Sequence, residues 1–195
     1  MSYYSYLLRK FVTNFRTKYA VETATVAQTL SNTINPMPSI EQVKVALDEK
    51  DYAILRLLQA DAKLTVREIA TQVHLSPTPT HERIKRLESS GVIRQYVALL
   101  DNRLLNRRLV VLCMVSLKQH DRQTAHEFVH GITQFPEVVE CYNIAGEYDF
   151  LLKIVTESME TYHDFYLNYL GEVTGIGKAH SVFVMDVIKN THVVL

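Results

Sequence analysis

The chain has 195 residues and is 47% hydrophobic, enough to build a core in one or two domains. It has no apolar run of about 18 residues and no apolar N-terminal stretch ending in a small-residue cleavage site, so neither a membrane span nor a secretory leader is expected and the protein is placed in the cytoplasm. Its formal net charge of zero excludes a uniformly basic or acidic chain.

The zero hides an asymmetry. Residues 63–108 carry nine Lys/Arg against four Asp/Glu, a net of +5. Residues 109–195 carry five against eleven, a net of −6, and residues 1–62 a net of +1. A basic middle beside an acidic end suggests two domains with different partners. The two cysteines, Cys113 and Cys141, lie in apolar strand-like runs and read as buried packing in a reducing compartment.

Residues 1–46 differ from the rest. Only Glu22 and Glu41 are acidic there, and "NPMPS" at 35–39 interrupts any regular structure. Leu7, Leu8, Phe11, Phe15 and Tyr19 share one face of a short helix. The segment reads as a weakly ordered extension, or else as an arm that docks on a partner subunit. Met37 offers a second start for translation.

From Leu47 the pattern sharpens. "LDEKDYAILRLLQADA" predicts a helix with Asp48 at its N-cap and an apolar set of Tyr52, Ile54, Leu55, Leu57 and Leu58. "LTVREIATQV" predicts a second, capped by Thr65 with Glu68 three residues on. After the tight "HLS" connection, "SPTPTHERIKRL" predicts a third. Thr78 is its expected N-cap, because proline biases the preceding residue away from helical geometry, and Pro79 takes the first helical position. Gly91 stops it. Three helices with so short a turn before the last make a helix-turn-helix, with its core at 66–85.

At 100° per residue, Thr80, Ile84, Leu87 and Gly91 form the buried stripe of the third helix. Thr78, Glu82, Lys85, Arg86 and Ser89 point the other way, with His81 and Arg83 on the flanks. Such side chains hydrogen-bond to base edges and phosphates. The expected DNA-contacting set is Ser76, Thr78, His81, Glu82, Arg83, Lys85 and Arg86. Lys85 or Arg86 is expected to read guanine, and Arg83 to meet phosphate.

After Gly91 the period becomes two. "VIRQYVALLD" predicts a linker strand and "RLVVLCMVSLK" a strong strand. "RQTAHEFVHGITQF" is helical, "VVECYNIA" a strand, "GEYD" a turn, "FLLKIVT" a strand, "METYHDFYLNYLGEV" helical and "KAHSVFVMDVIK" a last strand. The order from Leu109 is β-α-β-β-α-β, a ferredoxin-like arrangement with two helices on one sheet face. The other face would leave apolar side chains such as Val111, Cys113 and Val115, or their alternates, in water, so a second copy is expected to cover it.

The stretch from Leu47 to Asp101 resembles the Lrp/AsnC family of feast/famine transcription regulators. The resemblance is carried by Leu47-Asp48, Ile54-Leu55, the "LSPTP" turn, Arg83, Arg86-Leu87-Glu88 and Gly91-Val92-Ile93. The β-α-β-β-α-β half resembles the family's effector-binding and oligomerisation domain, with "AGEYDFLLK" similar to its turn. The resemblance implies an α+β chain with a winged-type helix-turn-helix domain and linker strand over 47–108 and the effector domain over 109–195; the extension over 1–46 has no counterpart in the family's pattern. It implies a transcription regulator that binds double-stranded DNA as a homodimer or a higher homo-oligomer, tetramer or octamer. Its effector would be a small molecule, an amino acid held between dimers, with no cofactor and no enzymatic activity. Asn106 stands where the family has glycine, and asparagine tolerates the same left-handed backbone. Glu147 replaces a commoner aspartate.

Gly146, Glu147, Tyr148 and Asp149 have two readings. A carboxylate at a hairpin end receives an ammonium group while glycine lets a ligand approach the backbone; equally, Gly and Asp are ordinary turn residues. Val182 and Val184, in "SVFVM", are candidates for the opposite pocket wall. "HEFVH" at 126–130 matches a zinc-protease spacing. Its helix buries Ala125, Phe128, Val129 and Ile132, however, leaving both histidines at the solvent edge without a third ligand. A zinc hydrolase and a metabolite sensor that does not bind DNA are the rival classes.

Overall fold

The computed structural model of the protein describes residues 45–195, so the apolar face expected over Leu7–Tyr19 and the Met37 start lie outside the described residues. Three helices open the described chain: α1 at Glu49–Ala60, α2 at Val66–Gln72 and α3 at Pro77–Ser89. Asp48 immediately precedes α1. The Thr65 hydroxyl accepts from the Glu68 amide, and a Glu68 carboxylate oxygen accepts from the Thr65 amide at 2.7 Å, the reciprocal cap that the sequence predicts. These hydrogen bonds from Thr65 hold the Glu68 carboxyl below its usual range. Ile54, Leu55, Ile69, Ala70, Val73, Thr80, Ile84 and Leu87 are buried, whereas Tyr52 is exposed.

The start of α3 differs from expectation. Its N-cap is Ser76, not Thr78, so Pro77 and Pro79 stand at the first and third helical positions. The first amide to bond within the helix is that of Thr80, to the Ser76 carbonyl at 3.3 Å. Both prolines therefore fall among the amides a helix start leaves unpaired and cost no hydrogen bond. Gly91 lies past the helix end with φ of +75°, the left-handed geometry that terminates a helix, rather than in the buried stripe. His74 takes the same left-handed region, φ 55°, to make the short turn between α2 and α3.

The expected linker strand does not form. Residues 94–108 are exposed and irregular, with Val97, Leu99, Leu100 and Leu104 more than 60% exposed. A strand needs a hydrogen-bonded neighbour, and among the described residues this segment has none. This irregular segment follows the three helices where a winged domain carries its wing. Asn106 is left-handed, φ 56°, as its place in the turn requires.

The second half is β1 (Leu109–Leu117), α4 (Arg122–Ile132), β2 (Val138–Asn143), β3 (Phe150–Thr156), α5 (Met159–Asn168) and β4 (Ile176–Phe183), with a 3-10 turn at Leu170–Glu172. The strands form one antiparallel sheet in the order β2-β3-β1-β4, the ferredoxin-like order. β4 begins and ends earlier than its apolar pattern suggests. After Phe183, only the Val184 amide still reaches β1, at the Val110 carbonyl 3.0 Å away, and there β1 runs out.

Val111, Cys113, Val115 and Leu117 of β1 pack with Phe150, Leu152 and Ile154 of β3 against Phe128, Ile132, Tyr162 and Phe165 of the helices. Of the two sets the sequence leaves open, Val111, Cys113 and Val115 are thus the helix-covered one. Their alternates Val110, Leu112 and Met114 lie on the open face, half-buried, beside Leu151 and Val182. Cys113 and Cys141 are free thiols, the first fully buried. No helix among the described residues is long and apolar enough to cross a membrane.

Candidate nucleic-acid interface and ligand turn

The exposed stripe of α3 consists of Thr78, His81, Glu82 and Lys85, spaced i, i+3, i+4 and i+7, with Ser76 exposed at its head. All five are expected DNA-contacting residues, and they share one helix face. Opposite, Thr80 is fully buried and its hydroxyl donates to the Ser76 carbonyl at 3.0 Å. The two helices before α3 are tied to each other. Lys50 of α1 donates to the Val73 carbonyl at the end of α2 at 2.7 Å.

The two arginines behave differently from the stripe. Arg83 Nη1 donates to Asp51 Oδ1 at 2.8 Å, and Arg86 Nη2 donates to Asp51 Oδ2. Asp51 is buried within α1. Arg86, expected with Lys85 to point outward and one of the two to read guanine, is exposed but tied to Asp51, and Arg83 shares that anchor. Sequence reading missed Asp51 because its partners lie 32 and 35 residues away. An acid in the first turn looks like an ordinary helix-dipole residue, and only its place on the apolar side of α1 signals burial.

The 146–149 turn lies at the end of β1. Asp149 Oδ2 accepts from the Leu117 amide at 2.7 Å, and Oδ1 lies 3.0 Å from His120 Nδ1. This is where β1 has a bulge, between Ser116 and Leu117, so the carboxylate satisfies an amide that the ladder leaves behind. The Ser116 hydroxyl donates to the Glu147 carbonyl at 3.3 Å. Gly146 has φ of +147°, a backbone region that side chains disfavour, and its Cβ position is open. Glu147 lies 3.9 Å from Lys178 Nζ, which is 5.6 Å above the Tyr148 ring; that ring stacks on His180. The turn therefore meets the first half of β4. Val182 and Val184 lie further along, opposite Leu112 and Val110 near the other end of β1, and one chain does not bring them to the turn.

His126 and His130 are exposed on α4, whose buried side is Phe128 and Ile132. Among the described residues no group of three His, Cys, Asp or Glu could hold a metal ion.

Three helices with an exposed polar stripe, followed by a ferredoxin-like sheet domain, define a DNA-binding regulator with a sensing half. The winged helix-turn-helix DNA-binding pattern matches residues 47–94, and the Lrp/AsnC ligand binding domain matches residues 110–194. The chain is 35% identical over 147 residues to the transcriptional regulator AzlB of Bacillus subtilis, covering 75% of this chain and 94% of that one. It is also 35% identical over 145 residues to the DNA-binding transcriptional activator DecR of Escherichia coli, covering 74% and 95%. A crystal structure of a transcriptional regulator from Neisseria meningitidis in complex with L-Met superposes with a TM-score of 0.72 at 35% identity, covering 75% of this chain and 95% of that one. The chain belongs to the Lrp/AsnC family of transcriptional regulators.

Proposed function

We propose that the protein reads a specific DNA sequence through Ser76, Thr78, His81, Glu82 and Lys85, and that an amino acid bound at the Gly146–Asp149 turn alters its DNA binding or assembly. The observation that carries the first half is the single polar face of α3 on a helix with a proline-fixed start. Hydroxyls serve either groove partner, a glutamate accepts from cytosine and a lysine donates to guanine. The effector reading is supported by the carboxylate of Glu147, the Tyr148–His180 stack and the open Gly146, together with the L-Met held by the Neisseria relative. Asp149 serves mainly to pin β1, so Glu147 is the better candidate for an ammonium group. Val182 and Val184 would reach such a ligand from a neighbouring copy, in a homodimer or larger homo-oligomer. The protein acts by binding, with no reaction or cofactor of its own, over domains at 47–108 and 109–195.

The test is selection of bound duplexes from random DNA, with and without each amino acid. One enriched sequence, and one or a few amino acids that shift its affinity, are expected. Failure to enrich any sequence would overturn the DNA reading. Glu147→Gln is expected to weaken the amino-acid effect at least ten-fold in effector concentration while leaving unliganded affinity alone; an unchanged response would move the effector elsewhere. Linkage limits the effect to the ligand's differential affinity for two states, typically about 1–3 kcal/mol.

A further inference from the structure

Asp51 is fully buried, and its two carboxylate oxygens are divided between two arginines of α3. The Arg83 side chain is 28% exposed and that of Arg86 is 50% exposed. A guanidinium is a rigid plane of five N–H donors, so one that gives a single Nη2 donor to Asp51 and stays half-exposed keeps donors for a second partner. Arg86 follows Lys85 directly and stands eight residues after Thr78, which places it at the border of the exposed stripe.

We propose that Asp51 is a positioning residue for DNA binding: it holds the Arg86 guanidinium at the border of α3 so that the outer edge contacts a backbone phosphate. This rests on the DNA-binding reading of α3 and divides its labour. The stripe reads bases, and Arg86 fixes the helix against the backbone without carrying sequence information. A free arginine would be ordered only on binding. One already held by Asp51 has less freedom to lose. Arg83 keeps Asp51 partnered when Arg86 is changed, so the contact can be removed without stranding the carboxylate.

The experiment uses the full chain, a duplex obtained by selection and a scrambled duplex, each titrated across salt. Arg86→Gln is expected to weaken binding to both duplexes by the same factor and to lower the slope of log affinity against log salt by about one unit per copy bound. Arg86→Lys, which keeps the charge but not the fork, is expected to keep the slope and lose affinity several-fold. Asp51→Asn makes the cluster more positive, yet it is expected to bind the selected duplex several-fold more weakly at a temperature where circular dichroism shows it folded. Should it not fold, Asp51→Glu, which keeps the charge but displaces the carboxylate by a methylene, takes its place with the same expectation. Three results would overturn the proposal. Arg86→Gln that lowers only the melting temperature makes the cluster purely structural. Arg86→Gln that lowers the selected-to-scrambled ratio at constant slope makes Arg86 a base reader. Asp51 variants that bind as tightly as the parent remove the positioning role. A parent that selects no duplex would show, before any variant is made, that the DNA reading itself has failed.

Discussion

A carboxylate with no access to water is stable only while its partners stay in place, and Asp51 puts this in measurable form. Asp51→Ala leaves Arg83 without its 2.8 Å partner on a side chain that is mostly covered. Because both arginines retain some access to solvent, the cost should sit near the lower end of the range for broken buried pairs, about 3 kcal/mol, measured by urea unfolding. Tyr162 gives a second prediction, on the alkaline side. Burial pushes its phenol up to about 12, from 10.0, while its hydroxyl shares a 2.5 Å hydrogen bond with Ser181. The folded chain therefore holds a proton that the unfolded chain releases near pH 10. This contribution is complete below about pH 10 and is lost as pH rises toward 12. Thermal melts across that interval should show the decline, and Tyr162→Phe, which cannot ionise, should show a shallower one.

Among the elements, α2 is only seven residues long and depends on its cap. Thr65→Ala removes the hydroxyl half of the reciprocal cap, keeps the amide half, and should cost about 1 kcal/mol, read from the unfolding midpoint at unchanged slope. The elements themselves were legible in the sequence because their periods are strong. Ile84 and Leu87 on α3, and the apolar run of β1, could hardly be anything else. What the sequence left open was parity. Val110, Leu112 and Met114 are as apolar as Val111, Cys113 and Val115, so period two alone cannot say which set meets the helices. The start of α3 lies two residues ahead of the one Pro79 suggests, because the unpaired amides of a helix start accommodate both prolines. The 92–100 run had strand chemistry but no strand partner among the described residues, and pairing is a property of neighbours rather than of a segment. At the candidate site, the exposed stripe was visible from spacing, whereas the tie of Arg83 and Arg86 to Asp51 depended on a residue from another helix.

At the scale of the whole molecule, the sheet covers one face with α4 and α5 and leaves Leu112, Met114, Leu151 and Val182 on the other. A face of that kind fits a symmetric contact with a second copy. Light scattering of the full chain at micromolar concentration should give at least a dimer, and Leu112→Asp, which places a charge in the middle of that face, should shift it toward monomer with the fold retained; a monomeric parent would contradict this reading. The chain end also returns to the first helix. Gln59 donates to the His192 carbonyl at 3.3 Å and accepts from the Val194 and Leu195 amides at 3.4 and 3.2 Å. The irregular stretch between the halves has one further consequence, which is chemical. It is exposed from Arg94 to Arg108, and it contains Arg94, Arg103, Arg107 and Arg108. Trypsin needs an extended, accessible backbone, so brief digestion should cut there before it cuts within the helices or the sheet. Cleavage after Arg108 parts a piece of net charge +6 from one of −6, and at neutral pH the two should bind opposite ion-exchange resins. A near-neutral protein thus conceals two strongly charged ones, joined by a stretch that a protease can find.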